Sequence, residues 1–164
     1  MGTAGMGALG GALYLASRTS VGGLARVIGR MTLTLGVALM ALRFASNVYI
    51  AMPLLFATGL SWMVQLGSTN TIIQTVVEED LRGRVMAFYT MAFLGTAPIG
   101  SLIAGVAADR IGPQRTILLG GLACIAAGMW FMYRLPLLRE IVRPIYVERG
   151  ILAAAQVEGN AKSL

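Results

Sequence analysis

The side chains able to do chemistry are few and unevenly placed. There is no histidine, and the one cysteine, Cys124, has no activating base or metal-ligand pattern beside it. That removes histidine-based catalysis, most zinc sites and any internal disulfide. With Gly120 and Gly128 at spacings of four, Cys124 reads as a small packing residue. The carboxylates gather at Glu78, Glu79 and Asp80, at Asp109, and at Glu140, Glu148 and Glu158. None falls within a long apolar run, so no embedded carboxylate is available for proton coupling or as a general base. No metal, cofactor or enzymatic activity is expected. The polar groups that do fall within an apolar run are neutral. Ser61, Gln65, Ser68 and Thr69 lie at helical spacing on one face, and Asn70 and Gln74 form an i, i+4 pair. Two readings stand: Gln65, Asn70 and Gln74 line a path for a solute, or the group makes hydrogen bonds between helices.

The elements that must position these residues follow from composition. The chain has 164 residues, of which 57% are hydrophobic and only 12% charged, with a mean hydropathy of +0.75. Soluble domains carry about 25% charged residues, so there is too little charge to coat a globule of this size. Aromatics are 7%, while Gly reaches 21 and Met 10. Small residues in that number suit helices packed closely in lipid. Strands are excluded because no segment alternates, and an open sheet in lipid would leave its backbone unpaired. The class is an all-α, polytopic membrane helix bundle.

Charge clusters divide the chain into spans. A crossing helix needs about 20 residues, within a range of about 17–25. The uncharged runs predict spans at 85–108 and 116–133 directly. Phe44 to Val77 is too long for one core, which places a helix near 49–68 that continues past the interface. A span at 27–46 requires Arg30 and Arg43 to snorkel to opposite faces. The first span, at 1–17, is the shortest. Five spans are expected, followed by a tail over 134–164 whose end, from Ala153, is expected to be disordered. Between the third and fourth spans, Glu79, Asp80, Arg82 and Arg84 form a mixed-charge cluster expected to be a short loop held by ion pairs.

The net charge of +6 could suggest nucleic acid, but its distribution suits a membrane face better. Alternating spans put Arg18, Arg26, Arg30, Arg82, Arg84 and the five basic residues of the tail on one side. Arg43, Arg110 and Arg115 fall on the other. The positive-inside rule then places the tail in the cytoplasm and Met1 outside. An outside start without a signal sequence is expected of a chain that has lost preceding spans. Packing signals are generic: Gly7 and Gly11 in the first span, Ala97, Ser101 and Gly105 in the fourth, and Gly120 and Gly128 in the fifth. Each set lets another helix approach closely. Pro53 and Pro98 lie inside spans, where they either kink a helix or are simply tolerated.

At these residues the sequence resembles the major facilitator superfamily. Gly105-Val-Ala-Ala-Asp109-Arg110-Ile-Gly112-Pro-Gln-Arg115-Thr116 is similar to that superfamily's loop signature, G-x-x-x-D-R-x-G-x-x-x-T. Pro113 and Gln114 replace residues that are usually basic. Gly11-Ala-Leu-Tyr-Leu-Ala-Ser17-Arg18 is a weaker echo with Ser in place of Asp. Asn70 to Val85 resembles the link between the tenth and eleventh helices of exporters related to enterobactin efflux proteins, and Arg143-Pro-Ile-Tyr146 resembles endings in that branch.

The resemblance runs over roughly residues 2–150. It implies helices eight to twelve of a twelve-helix exporter of small molecules that works by alternating access between two halves. The signature is usually described for cytoplasmic loops, whereas the charge tally puts Asp109 outside. The partners implied are the lipid bilayer, the first seven helices or an equivalent half, and an unidentified solute, with no nucleic acid. The localisation implied is the bacterial inner membrane. The rival reading is a small assembly protein that docks on a partner half, or on copies of itself, through its glycine stripes.

Overall fold

The computed structural model describes residues 2–18, 23–45 and 47–148, with side chains described through residue 136. The described residues form five helices in sequence: α1 (Gly2–Ala16), α2 (Leu24–Leu42), α3 (Val48–Val76), α4 (Glu79–Ile111) and α5 (Pro113–Glu148). The expected disorder of the chain's end lies outside the described residues.

Local chemistry sets where each helix starts and stops. Gly23, at φ 88°, turns the backbone into α2, a conformation closed to most side chains. Asn47 caps α3 by accepting a hydrogen bond from the Tyr49 amide at 3.4 Å, a role that short polar side chains fill well. Glu79 and Asp80 occupy the first turn of α4, and Arg110 the last. Each charge therefore matches the end of the helix dipole beside it. Gly112, also at φ 88°, ends α4, and Pro113 opens α5, where its missing N–H is not needed.

Four of the helices are long and apolar enough to cross a membrane: α2, α3, α4 and Pro113–Pro136 of α5. At 1.5 Å per residue, the 29 residues of α3 reach about 43 Å, beyond a hydrocarbon core of about 30 Å. The fifth expected span, α1, has 15 residues, about 22 Å, and is shorter than that core.

The helices do not end where the expected spans do, and the expected loop is helical. α2 begins at Leu24, not 27, and stops at Leu42. The acidic–basic cluster is no loop: only Val77 and Glu78 interrupt the helices, and Glu79 to Arg84 form the first turns of α4. α5 runs on through 134–148 without a break. At the starts of α2 and α4 and at the end of α5 the backbone stays helical past the apolar run, since Arg and Glu are good helix formers, whereas α2 stops at Leu42, before Arg43.

Helix directions follow from glycine contacts. Gly59 of α3 meets Ala4 of α1, Gly7 meets Phe56, Gly11 meets Leu60, and Gly67 meets Leu15. From Gly7–Phe56 through Gly11–Leu60 to Leu15–Gly67 both helices ascend together, so α1 and α3 are parallel. Gly29 of α2 meets Met132 of α5, Leu33 meets Gly128, and Gly36 meets Gly121, so α2 and α5 are antiparallel. The core is α1 on α3, α3 on α2, and α2 on α5. No residue of α4 is buried. It touches α5 and, more lightly, α3, where Phe93 meets Trp62 with ring centroids 6.1 Å apart.

Candidate transport surface

Threonine hydroxyls along the helices are satisfied locally. Thr32, Thr69, Thr71 and Thr90 each donate to the carbonyl one turn back, at 2.8 or 2.9 Å. This is how a hydroxyl is accommodated in lipid without a second helix. The serines of α3 differ. Ser61 and Ser68 are fully buried, and neither Oγ has a hydrogen-bond partner, nor has Gln65 Oε1. Each buried unpaired group of this kind costs about 1–3 kcal/mol.

The reason is what lies opposite. The α1 side of α3 is its glycine face: Phe56, Gly59, Leu60, Met63 and Gly67. At 100° per residue, Ser61 and Ser68 lie about 120° around from that face, on the side where α2 packs. The buried residues of α2 include Leu24, Val27 and Ala38, which offer no side-chain donor or acceptor. The interhelical hydrogen bonds considered for this stripe are therefore not made at these three atoms.

The three residues considered for a solute path separate into two sets. α3 is continuous, so Gln65 and Asn70 project about 140° apart and Gln65 and Gln74 about 180° apart. Gln65 belongs with Ser61 and Ser68. Asn70 and Gln74 extend the glycine face beyond Gly67, where α1 has ended at Ala16. Asn70 is half-buried and Gln74 exposed. Two turns further along the chain stands the charged start of α4, where Arg82 Nη2 lies 3.9 Å from Glu79 Oε1. That is the one ion pair among the described residues, and it is formed within the helix. Asp80 and Arg84 are exposed beside it.

At the opposite end, the signature residues are split between two helices. Asp109 and Arg110 close α4, exposed, and Gly112 makes the turn. Thr116 Oγ1 donates to the Gly112 carbonyl at 3.0 Å. The signature thus works locally as a one-residue helix break.

The small-residue stripes are sorted by the same geometry. Gly7 and Gly11 are buried against α3. Ala97, Ser101 and Gly105 are exposed, and a Cβ at Gly105 would meet nothing within 4 Å. On α5 the same holds for Gly120, whereas Gly121 and Gly128 press on α2. The seam partners Gly29, Gly36, Gly59 and Gly67 went unnoticed in the sequence. Their signal was a spacing of seven or eight rather than four: Gly29 and Gly36 match Gly121 and Gly128 across the α2–α5 seam.

Residues 1–144, which hold the apolar helices and the turn at Gly112 between the last two, match the family model described as transmembrane secretion effector. The chain belongs to that major facilitator family. Its relatives include the multidrug efflux pump Tap of Mycobacterium tuberculosis and of Mycobacterium bovis. Each is 35% identical over 109 residues, which are 66% of this chain and 26% of the relative. The Tap of Mycolicibacterium fortuitum is 30% identical over 139 residues, 83% of this chain and 32% of that protein. The chain therefore spans about a third or less of the length of the family members it matches. No solved structure matches it.

Proposed function

We propose that this chain forms helices eight to twelve of a major facilitator exporter, and so most of one of the two halves that rock about a midplane site. The observation that carries the reading is the family match over residues 1–144, in a chain whose α1 and α3 run parallel and whose α2 and α5 run antiparallel. Relatives described as multidrug efflux pumps support export as the direction of transport. A lipophilic or amphipathic solute suits a path whose polar groups are few and neutral. Asn70 and Gln74 are the residues assigned to contact it, since they lie on α3 beyond the cover of α1. The opposite wall comes from seven further helices or an equivalent half, and the bare length of α4 is the surface left for them. The predominance of basic residues at the end shared by Arg18, Arg82 and the tail supports a cytoplasmic C-terminus in a bacterial inner membrane.

The test is uptake of a lipophilic fluorescent dye into energised everted vesicles from cells with and without the gene. Uptake that depends on the gene and falls severalfold with Asn70→Ala/Gln74→Ala, at unchanged protein abundance, supports the reading. Equal uptake by both sets of vesicles, across dyes of different charge, overturns it.

A further inference from the structure

At the end of the bundle away from Asn70 lies an open surface pocket of about 500 Å³, lined by Arg43, Ile111, Gly112, Pro113, Gln114 and Arg115, most of them exposed. We propose that it holds the phosphate of an anionic phospholipid headgroup. Arg43 follows the last turn of α2, and Arg115 stands in the first turn of α5. Two cations from separate helices line one cavity, and neither has a carboxylate within 4.0 Å among the described residues. Arg110, in the last turn of α4, and Asp109 precede the lining residue Ile111 in sequence, and neither is itself part of the lining. Arg43 and Arg115 are both exposed, so water screens their mutual repulsion, and an anion placed in the pocket is attracted to both. The guanidinium fork matches phosphate oxygens. Arg43 is further held 5.7 Å from the centre of the Phe44 ring, a contact that orients the side chain.

Position and lining favour a lipid over free phosphate. The cavity sits where the apolar lengths of α2 and α4 end and that of α5 begins, which is the headgroup level of a bilayer. Ile111 and Pro113 make part of its wall apolar. On neighbouring turns Phe44, Val48, Tyr49 and Ile117 are exposed, a surface along which acyl chains can lie. The inference rests on the membrane bundle and is independent of the exporter reading.

The test uses the purified full chain in detergent, titrated with phosphatidylglycerol, phosphatidylcholine or inorganic phosphate at matched ionic strength. Retained lipid is read by native mass spectrometry and stability by thermal unfolding. Phosphatidylglycerol should be retained about tenfold more than phosphatidylcholine. Arg43→Gln and Arg115→Gln should each lower its retention about fivefold. Arg43→Lys, which keeps the charge but not the fork, should fall between the native chain and Arg43→Gln, and Arg82→Gln at the other end should change nothing. Equal retention of the two lipids, or indifference to both Gln variants, overturns the proposal. Equal stabilisation by inorganic phosphate also overturns it, and would make the cavity a free-anion site.

Discussion

Gly120 and Gly121 are sequence neighbours in the same helix, yet they face opposite situations. A Cβ at Gly121 would lie 2.7 Å from Met40 Cγ and 2.9 Å from the Gly36 carbonyl oxygen, whereas one at Gly120 meets nothing within 4 Å. Replacing either with Ala brings the same helix-propensity gain, about 1 kcal/mol. Only Gly121→Ala also wedges two helices apart, an overpacking cost of about 1–3 kcal/mol. The Met40 side chain can swing aside, but the Gly36 carbonyl is part of the helix and cannot. Gly120→Ala should therefore stabilise by up to about 1 kcal/mol, and Gly121→Ala should range from neutral to about 2 kcal/mol destabilising. For a chain of this size each kcal/mol corresponds to about 2–4 °C in the unfolding midpoint. Thermal unfolding of both variants in the same detergent gives the comparison, with helicity followed by circular dichroism. If Gly120→Ala loses as much as Gly121→Ala, the α2–α5 seam is misplaced and the directions of these helices lose their support.

Three further outcomes follow from the geometry. Ser68→Ala removes a buried hydroxyl with no partner, so it should leave stability unchanged or raise it by about 1 kcal/mol; a clear loss would show that the hydroxyl has a partner after all. Glu79→Gln breaks an exposed pair at 3.9 Å and a favourable charge at the start of α4, so it should cost about 1 kcal/mol or less, and the difference should fade in about 0.5 M salt. An antibody to residues 134–164 should detect, in native membranes, either a polypeptide of about 40–45 kDa, the size of twelve spans with loops, or a smaller chain that co-purifies with a partner half. A lone band near 17.3 kDa with no partner would favour the small assembly protein.

Much of the fold was legible in the sequence, because lipid imposes a simple rule: uncharged runs of sufficient length become helices. The positions of Arg43, Glu78 and Asp109 were enough to separate the last three helices. Boundaries were less legible, because hydropathy marks where lipid ends and the helix does not stop there. Hydropathy alone makes Glu79 to Arg84 a loop for this reason, although an acidic first turn is a helix start signal. The candidate surface was legible only in part. Periodicity puts Ser61, Gln65, Ser68 and Thr69 toward one face of α3, whereas the helix turns Gln65 and Asn70 about 140° apart. Which glycines form seams could not be read from one helix alone. Gly120 and Gly121 are indistinguishable until the register of α5 against α2 is known. The packing of Gly36 depends on residues far along the chain.

The exporter reading requires five alternating crossings, and α1, at 15 residues, is where that requirement is most exposed. Single cysteines placed in a Cys124→Ala background, labelled with a membrane-impermeant reagent in right-side-out and everted vesicles, test it directly. Thr3→Cys, Ala45→Cys and Gln114→Cys should label from one side of the membrane, and Arg18→Cys and Glu78→Cys from the other. Labelling of Thr3→Cys and Arg18→Cys from the same side would show that α1 does not cross, and labelling of Ala45→Cys and Glu78→Cys from the same side would contradict the bundle itself.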